Sequence, residues 1–482
     1  MNSALRIALE EWRFWLRSRL AISAAALMFV LIVAAVVSTV SRMQSEAETR
    51  HAMQDAAEKT FLAQPDRHPH RMVHYGHYVF RAPAPLAVID PGVDPLTGTV
   101  MFLEGHRQNS ATFPATYDTP YAAGFRLLTP AFTYQVLVPL VLIVVGFSIM
   151  ARERELQTDT QLVAQGVSPL TVWLGKSLAL IGLSVLIMLP LVCAAVLTSR
   201  GESGSTVGTL LMAYFLYLAA WSFAIVGFSA RAQTAAMSLL WCCVAWLAVT
   251  ILVPRLASDV SSALAPVAGK IQTDLALIEE LRKLGDGHNA SDPAFDALRA
   301  RVLEQYGVDE IEKLPVNYRG IVAEASEARL TDVLNQFAEE RMQNELAQTH
   351  IAGRGAFLSP MVAIKHASLR LVGSDLRNHH RYLREAEAAR FEFVQGLNRA
   401  HIHDLSYQDD INRNNGDEAS RRARVSADNW RVLQSFNFQP TAASDRIQAA
   451  GGMMLMLFLW FAAMAVFAFK GVNNSEERFH AG

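Results

Sequence analysis

Histidine is the residue type whose distribution in this chain most invites chemistry. Of the fourteen histidines, only His480 lies outside two long polar stretches, residues 42–126 and 254–446. His68, His70, His74 and His77 fall close together, His106 follows, and His379-His380 and His401-x-His403 lie in the second stretch. Neutral imidazole is the commonest protein ligand for zinc or copper. His74, His77, His401 and His403 are therefore candidate metal ligands, the last two because alternating positions can share one strand face or loop. The competing reading is that these histidines pack and hydrogen-bond inside a folded domain. Glu324, Glu327, Glu385 and Glu387 lie on helical text and could pair for acid-base work, but no Ser-His-Asp order, G-x-S-x-G or H-E-x-x-H word accompanies them. A solvated helix face is the expectation, and no catalytic residue is assigned.

The elements that must hold these residues are set by composition. The chain has 482 residues, 51% hydrophobic and only 18% charged, with a net charge of -2. That charge provides no basic field for a nucleic-acid backbone, so nucleic acid is excluded as a partner. Cys193, Cys242 and Cys243 all fall in apolar runs, without metal-site spacing or a disulfide framework.

A helix crossing a bilayer needs about 20 apolar residues, and six stretches qualify: Leu20–Ser41, Leu127–Met150, Ser177–Thr198, Val207–Ala230, Gln233–Val253 and Ile447–Phe469. None contains Asp, Glu, Lys, Arg or His, which argues against a carrier or pump with its own intramembrane proton or ion relay. The first is too long for a signal-peptide core and reads as a retained anchor. Arg6, Arg13, Arg17 and Arg19, then Arg152, Arg154 and Lys176, then Arg231 and Lys470, all flank the same side, whereas Arg200 alone marks the other. The positive-inside rule puts both termini in the cytoplasm and residues 42–126 and 254–446 outside.

The expected fold is an α-helical integral membrane protein whose six transmembrane helices carry an extracytoplasmic domain, mainly helical and partly β, built from two inserted segments. Residues 1–19 suit an amphipathic interfacial helix or an extension of the first span, and 470–482 form a cytoplasmic tail. The first insert begins helical to about Leu62, then turns β-like at His74–Arg81 and Thr99–Glu104. The second has helical periodicity over Ile271–Lys283, Pro293–Tyr306, Val322–Gln348, Leu376–Ala400 and Ala419–Phe436. No internal repeat is evident.

The polar connection 151–176 contains RERELQTDTQLVAQGVSPLTVWLGK, from Arg152 to Lys176. Its text suits a short helix parallel to the membrane, closed by a Gly166-Val167-Ser168-Pro169 turn. It resembles the coupling helix of type-2 ABC transporter permeases, whose pattern is Glu-Arg-Glu, then Gly-Thr, then an apolar stretch ending Ala-Gln-x-Val-Ser and a following Gly-Lys. Glu153, Arg154, Glu155, Thr158, Ala164, Gln165, Val167, Ser168, Gly175 and Lys176 match it; Gln157 stands where the family usually has Gly. Further words, HYGHYVFRAPAPLAVIDPGVD (74–94), LEGHRQN (103–109), LPVNYRG (314–320), LSP (358–360) and Gly373-Ser374-Asp375, resemble a bacterial subfamily whose large ectodomain is of uncharacterised function.

The resemblance implies a permease subunit in the bacterial inner membrane, an exporter by family habit, with its large domain in the periplasm. It would pair with a second permease copy or a related permease, and with a separate ABC ATPase subunit gripping Glu153, Arg154, Glu155, Thr158, Gln165, Gly166 and Ser168. ATP-Mg would bind that partner, and this chain itself would bind no cofactor. In agreement, Gly175-Lys176-Ser177 copies only the tail of a Walker A loop; Leu170 stands where its first Gly belongs. The rival function is a membrane-anchored extracytoplasmic receptor or assembly factor that transports nothing.

Overall fold

The computed structural model describes residues 3–113, 128–199 and 201–480. Six helices are long and apolar enough to cross a membrane: Arg19–Leu62, Pro130–Glu155, Pro169–Thr198, Gly204–Arg231, Ala235–Leu264 and Ala443–Asn474. The protein is an α-helical, multi-pass membrane protein. Helices suit a bilayer because each satisfies its own backbone polar groups where no water can.

The fourth span, Gly204–Arg231, is the bundle's axis. Its buried positions include Ala213, Ala219, Ala220 and Ala224, small side chains that let neighbouring backbones approach. Gly227 is the tightest of these: a Cβ there would collide with the Phe467 ring of the last span. Two spans contain a single π-turn, at Thr133–Leu137 and Ala248–Leu252, each directly before a proline-bearing helical segment. Pro139 has no N–H for the carbonyl of Gln135, and Tyr217 Oη donates to that carbonyl instead at 2.6 Å. Around the second π-turn, Ser359 Oγ donates to the carbonyl of Val249.

At one end of the bundle, the base, Ser3–Arg17 forms a separate amphipathic helix. It is not an extension of the first span, because Ser18 takes an extended conformation (φ -83°, ψ 114°) and caps the next helix by accepting from Ala21 N. The amphipathic helix packs on the third span where Gly175 leaves room for Ala4 and Ile7.

At the opposite end, the crown, stands the polar domain. The first-span helix runs unbroken for 44 residues, about 66 Å at 1.5 Å per residue, and so projects well past its apolar part. A hairpin follows, β1 (His77–Phe80) antiparallel to β2 (Val100–Leu103), with His77 opposite Leu103 and Phe80 opposite Val100. The second insert supplies two long helices, Tyr318–Gly353 and Leu376–His403. One core joins the inserts: Phe61, Met72, Val79, Met101 and Leu103 pack with Tyr382, Phe393, Val394 and Trp430. The periodic run Ala419–Phe436 is not one helix. A short helix, Asp417–Arg422, is followed by the 3-10 segment Ala427–Ser435, because Val425 between them pairs with Arg67 of the first insert (Val425 N to Arg67 O, 2.9 Å).

Candidate functional site

The connection between the second and third spans lies at the base, and its charges are turned inward. Lys176, 1% exposed, donates from Nζ to Glu11 Oε1 at 2.6 Å and to Glu153. Arg152 also donates to Glu11, at 2.9 and 3.1 Å, with its guanidinium 3.6 Å from the Phe14 ring centroid. A buried ammonium requires such compensation, and Lys176 thereby ties Glu153 to the third span directly and, through Glu11, to the amphipathic helix. Arg154 donates to the carbonyls of Ala230 and Ala232 at the end of the fourth span. Glu155 accepts from Ala235 N at 2.8 Å, where the fifth-span helix starts and a carboxylate satisfies an orphan amide. The Glu-Arg-Glu cluster thus fastens the connection to its surroundings.

What faces outward is the stretch after it. Ala151–Glu155 and Thr158–Ala164 are short helices, joined through Gln157 at φ 56°. Gln157 occupies the left-handed conformation that a glycine takes most cheaply, so the glycine-type turn is kept by a residue that bears its steric cost. Thr158 Oγ1 donates to the carbonyl of Glu153 at 3.3 Å and Thr160 Oγ1 to that of Gln157 at 2.6 Å, holding the turn. Gly166, at φ 71°, makes the second turn, and Ser168 Oγ accepts from Thr171 N to cap the third-span helix. Leu156, Gln161, Gln165, Gly166 and Ser168 are exposed, Leu156 by 66%.

The histidines sort differently from their spacing in the sequence. His401 and His403 share neither a strand face nor a loop; they end the helix Leu376–His403, with His401 buried and His403 exposed. Two residues apart on a helix, they point to opposite sides. His77 is buried on β1 with its ring 4.5 Å from that of Phe61, and burial lowers its pKa. His74 alone of the four candidates joins a histidine cluster, with His70, His106 and His288. The sequence groups His70 and His106 with the other histidines of the first insert without making them ligand candidates, and does not single out His288, although His70-x-x-x-His74 is an i, i+4 pair that a search for helical ligand spacing finds. His106 and His288 carry no local signal, because only the tertiary fold brings them in.

His401 belongs to a second group. Its Nε2 lies 2.8 Å from Asp410 Oδ2, and His68 Nε2 lies 3.0 Å from Oδ1. Asn317, Arg319 and Arg413 donate to the same carboxylate. Burial alone would raise the Asp410 carboxyl, but these donors, His401 and His68 foremost, hold it well below the usual carboxylate range. With its oxygens engaged and two guanidiniums alongside, this group is a structural knot between the inserts.

The solvated-face reading of the carboxylates fails for two of the four. Glu327 and Glu387 are buried, and both grip the buried Arg390, at 2.5 and 2.7 Å. Helix packing of Tyr318–Gly353 on Leu376–His403 encloses them, and charges so enclosed persist only in pairs. Glu385 stays half-exposed with Arg381 3.5 Å away, and Glu324 is partly buried.

Residues 270–439, most of the second insert, match the model of a domain of unknown function, DUF3526. No curated protein and no solved structure matches the chain.

Proposed function

We propose that the chain is the permease subunit of an ATP-driven transporter of the type-2 ABC class, working in the export direction, with the base in the cytoplasm and the polar domain outside. One observation carries the reading: the 151–168 connection is an outward-facing platform whose roots run through Glu11, Glu153, Glu155 and Lys176 into the amphipathic helix and the third and fifth spans. A motor seated on Leu156, Gln161 and Gln165 would move those helices together, because the platform cannot shift without them. The incomplete Walker A text at Lys176 supports an ATPase on another chain. Lys176 is itself committed to Glu11 and Glu153.

The test separates surface from root. Leu156→Glu with Gln165→Arg changes only exposed side chains, so it should leave membrane insertion and thermal stability unchanged while releasing an ATPase that copurifies with the wild-type chain. A parallel Glu153→Ala, Glu155→Ala variant should lose the partner and lower stability as well. If no nucleotide-hydrolysing subunit copurifies with or crosslinks to the wild-type platform, the reading is wrong and a non-transporting receptor takes its place.

A further inference from the structure

Four imidazoles from well-separated stretches converge where the first insert meets the loop ahead of Pro293. His70 lies in the short helix Pro69–Val73 and His74 caps its end. His106 follows β2, and His288 sits between the helices Lys270–Leu281 and Asp296–Tyr306. One ring nitrogen from each of His70, His106 and His288 lies within 4.8 Å of the other two, and His74 Nε2 is 3.2 Å from His70 Nε2. We propose that His70, His74, His106 and His288 form a zinc site that ties the 282–292 loop to the first insert.

The geometry carries the proposal. Imidazole nitrogens bind zinc at about 2.0–2.1 Å in a tetrahedron, which spaces neighbouring ring centroids about 5 Å apart. The six centroid separations here run from 4.7 to 6.2 Å. The rings are not stacked face to face: His70 is near-perpendicular to His74 (89°), as is His106 to His288 (87°).

His106 points to a cation independently. It takes φ 64°, a left-handed conformation costly for a residue with a Cβ. It is brought beside His74 by a hydrogen bond from Gly105 N to Val73 O of 2.9 Å. Its Nδ1 lies 2.8 Å from the fully buried Glu327 carboxylate, while its Nε2 is buried without a hydrogen-bond partner. Carboxylate on one ring nitrogen and metal on the other is the usual arrangement of a metal-bound histidine. Arg390 fixes Glu327 in turn.

The donor set is all nitrogen, without thiolate, which suits zinc over monovalent copper. The Asp410 knot does not compete, since Arg319 and Arg413 crowd its carboxylate.

The site does not depend on the transporter reading, and its test needs no ATPase. The full chain in detergent, stripped with a chelator, is titrated with zinc chloride against a competing chelator, and a second sample is loaded with cobalt. One equivalent of zinc should bind, with cobalt giving the intense visible bands of a tetrahedral site. His288→Ala, an exposed-loop change that leaves the core alone, removes a ligand outright and should weaken zinc by at least the roughly 10–100-fold that losing a ligand's outer partner costs. Zinc should slow proteolysis of the 282–292 loop in the wild type but not in that variant; His403→Ala should behave as wild type. Absence of stoichiometric binding, or binding unchanged in both His288→Ala and His70→Ala, overturns the proposal.

Discussion

His379 shows what burial does to a single titratable side chain. It is almost fully enclosed on the helix Leu376–His403, and burial, followed by the Arg81 guanidinium and His380, pushes it down to about 4. The unfolded chain holds an ordinary imidazole, near 6.5. Above that value both states are neutral and the residue costs nothing. As pH falls from about 6.5 towards 4, the unfolded chain takes up a proton that the folded domain refuses, so stability drops, by roughly 2 kcal/mol at pH 5. Thermal unfolding in detergent at pH 7.5 and pH 5 should therefore show a smaller acid-induced loss for His379→Gln than for the wild type, and equal losses would remove His379 as a contributor. The sequence flagged the histidine-rich inserts but not the states of their members. His77, His379 and His401 are enclosed by residues far away in the chain, and enclosure leaves no periodic trace. Glu327 escaped recognition for the same reason: facing Arg390 across two helices, it reads in its own helix as a solvated charge, while Glu387, three residues from Arg390 on one helix, owes its burial to the packing of Tyr318–Gly353.

Among the elements, the six spans were legible because a bilayer demands long apolar runs, and β1 and β2 because their text was bounded by turn residues. Ala419–Phe436 was misread because pairing of Val425 with Arg67 overrides local periodicity. The base connection was legible as a motif, yet its mechanics were not. Nothing in RERE announces that Glu153 meets Lys176 and Glu155 the start of the fifth-span helix. The turn at Gln157 supplies a prediction at this scale. Its φ of 56° costs a residue with a Cβ about 1–2 kcal/mol, partly offset by the greater unfolded-state freedom that glycine would bring. Gln157→Gly should hold or slightly raise stability, whereas Gln157→Val, β-branched in a left-handed turn, should lose at least about 1 kcal/mol beyond the wild type. Melting temperatures of the two variants decide this; a valine variant as stable as the glycine one would mean that the turn is not held as described.

For the whole molecule, the joint between domain and bundle governs what the two ends can do to each other. Asp90, from the first insert, accepts from Ser368 Oγ at 2.8 Å and Lys365 Nζ at 3.1 Å, and its carbonyl accepts from Ser374 Oγ at 2.8 Å. Ser368 in turn meets Tyr214 of the fourth span at 3.1 Å, and Tyr214 meets Gln135 of the second at 3.0 Å. Arg446 adds a second fastening, donating to the carbonyls of Leu371 and Val372 and to Glu202 in the short crown connection. These hydrogen bonds fasten the crown to the crown-side ends of the second and fourth spans, so a movement of those helices would carry to the far side, provided the two ends lie on opposite sides of a membrane. That proviso is testable in intact cells. Ser45 and Ser291 are exposed and belong to the inserts, Ser203 is partly exposed in the crown connection, and Gln165 is exposed at the base. In a background with Cys193, Cys242 and Cys243 replaced, Ser45→Cys, Ser203→Cys and Ser291→Cys should react with an impermeant thiol reagent added outside, and Gln165→Cys only after the membrane is opened. The arginine and lysine excess at the base sets that direction. Labelling of Gln165→Cys in sealed cells, with the other three silent, would invert the molecule and put the platform beyond reach of any cytoplasmic motor.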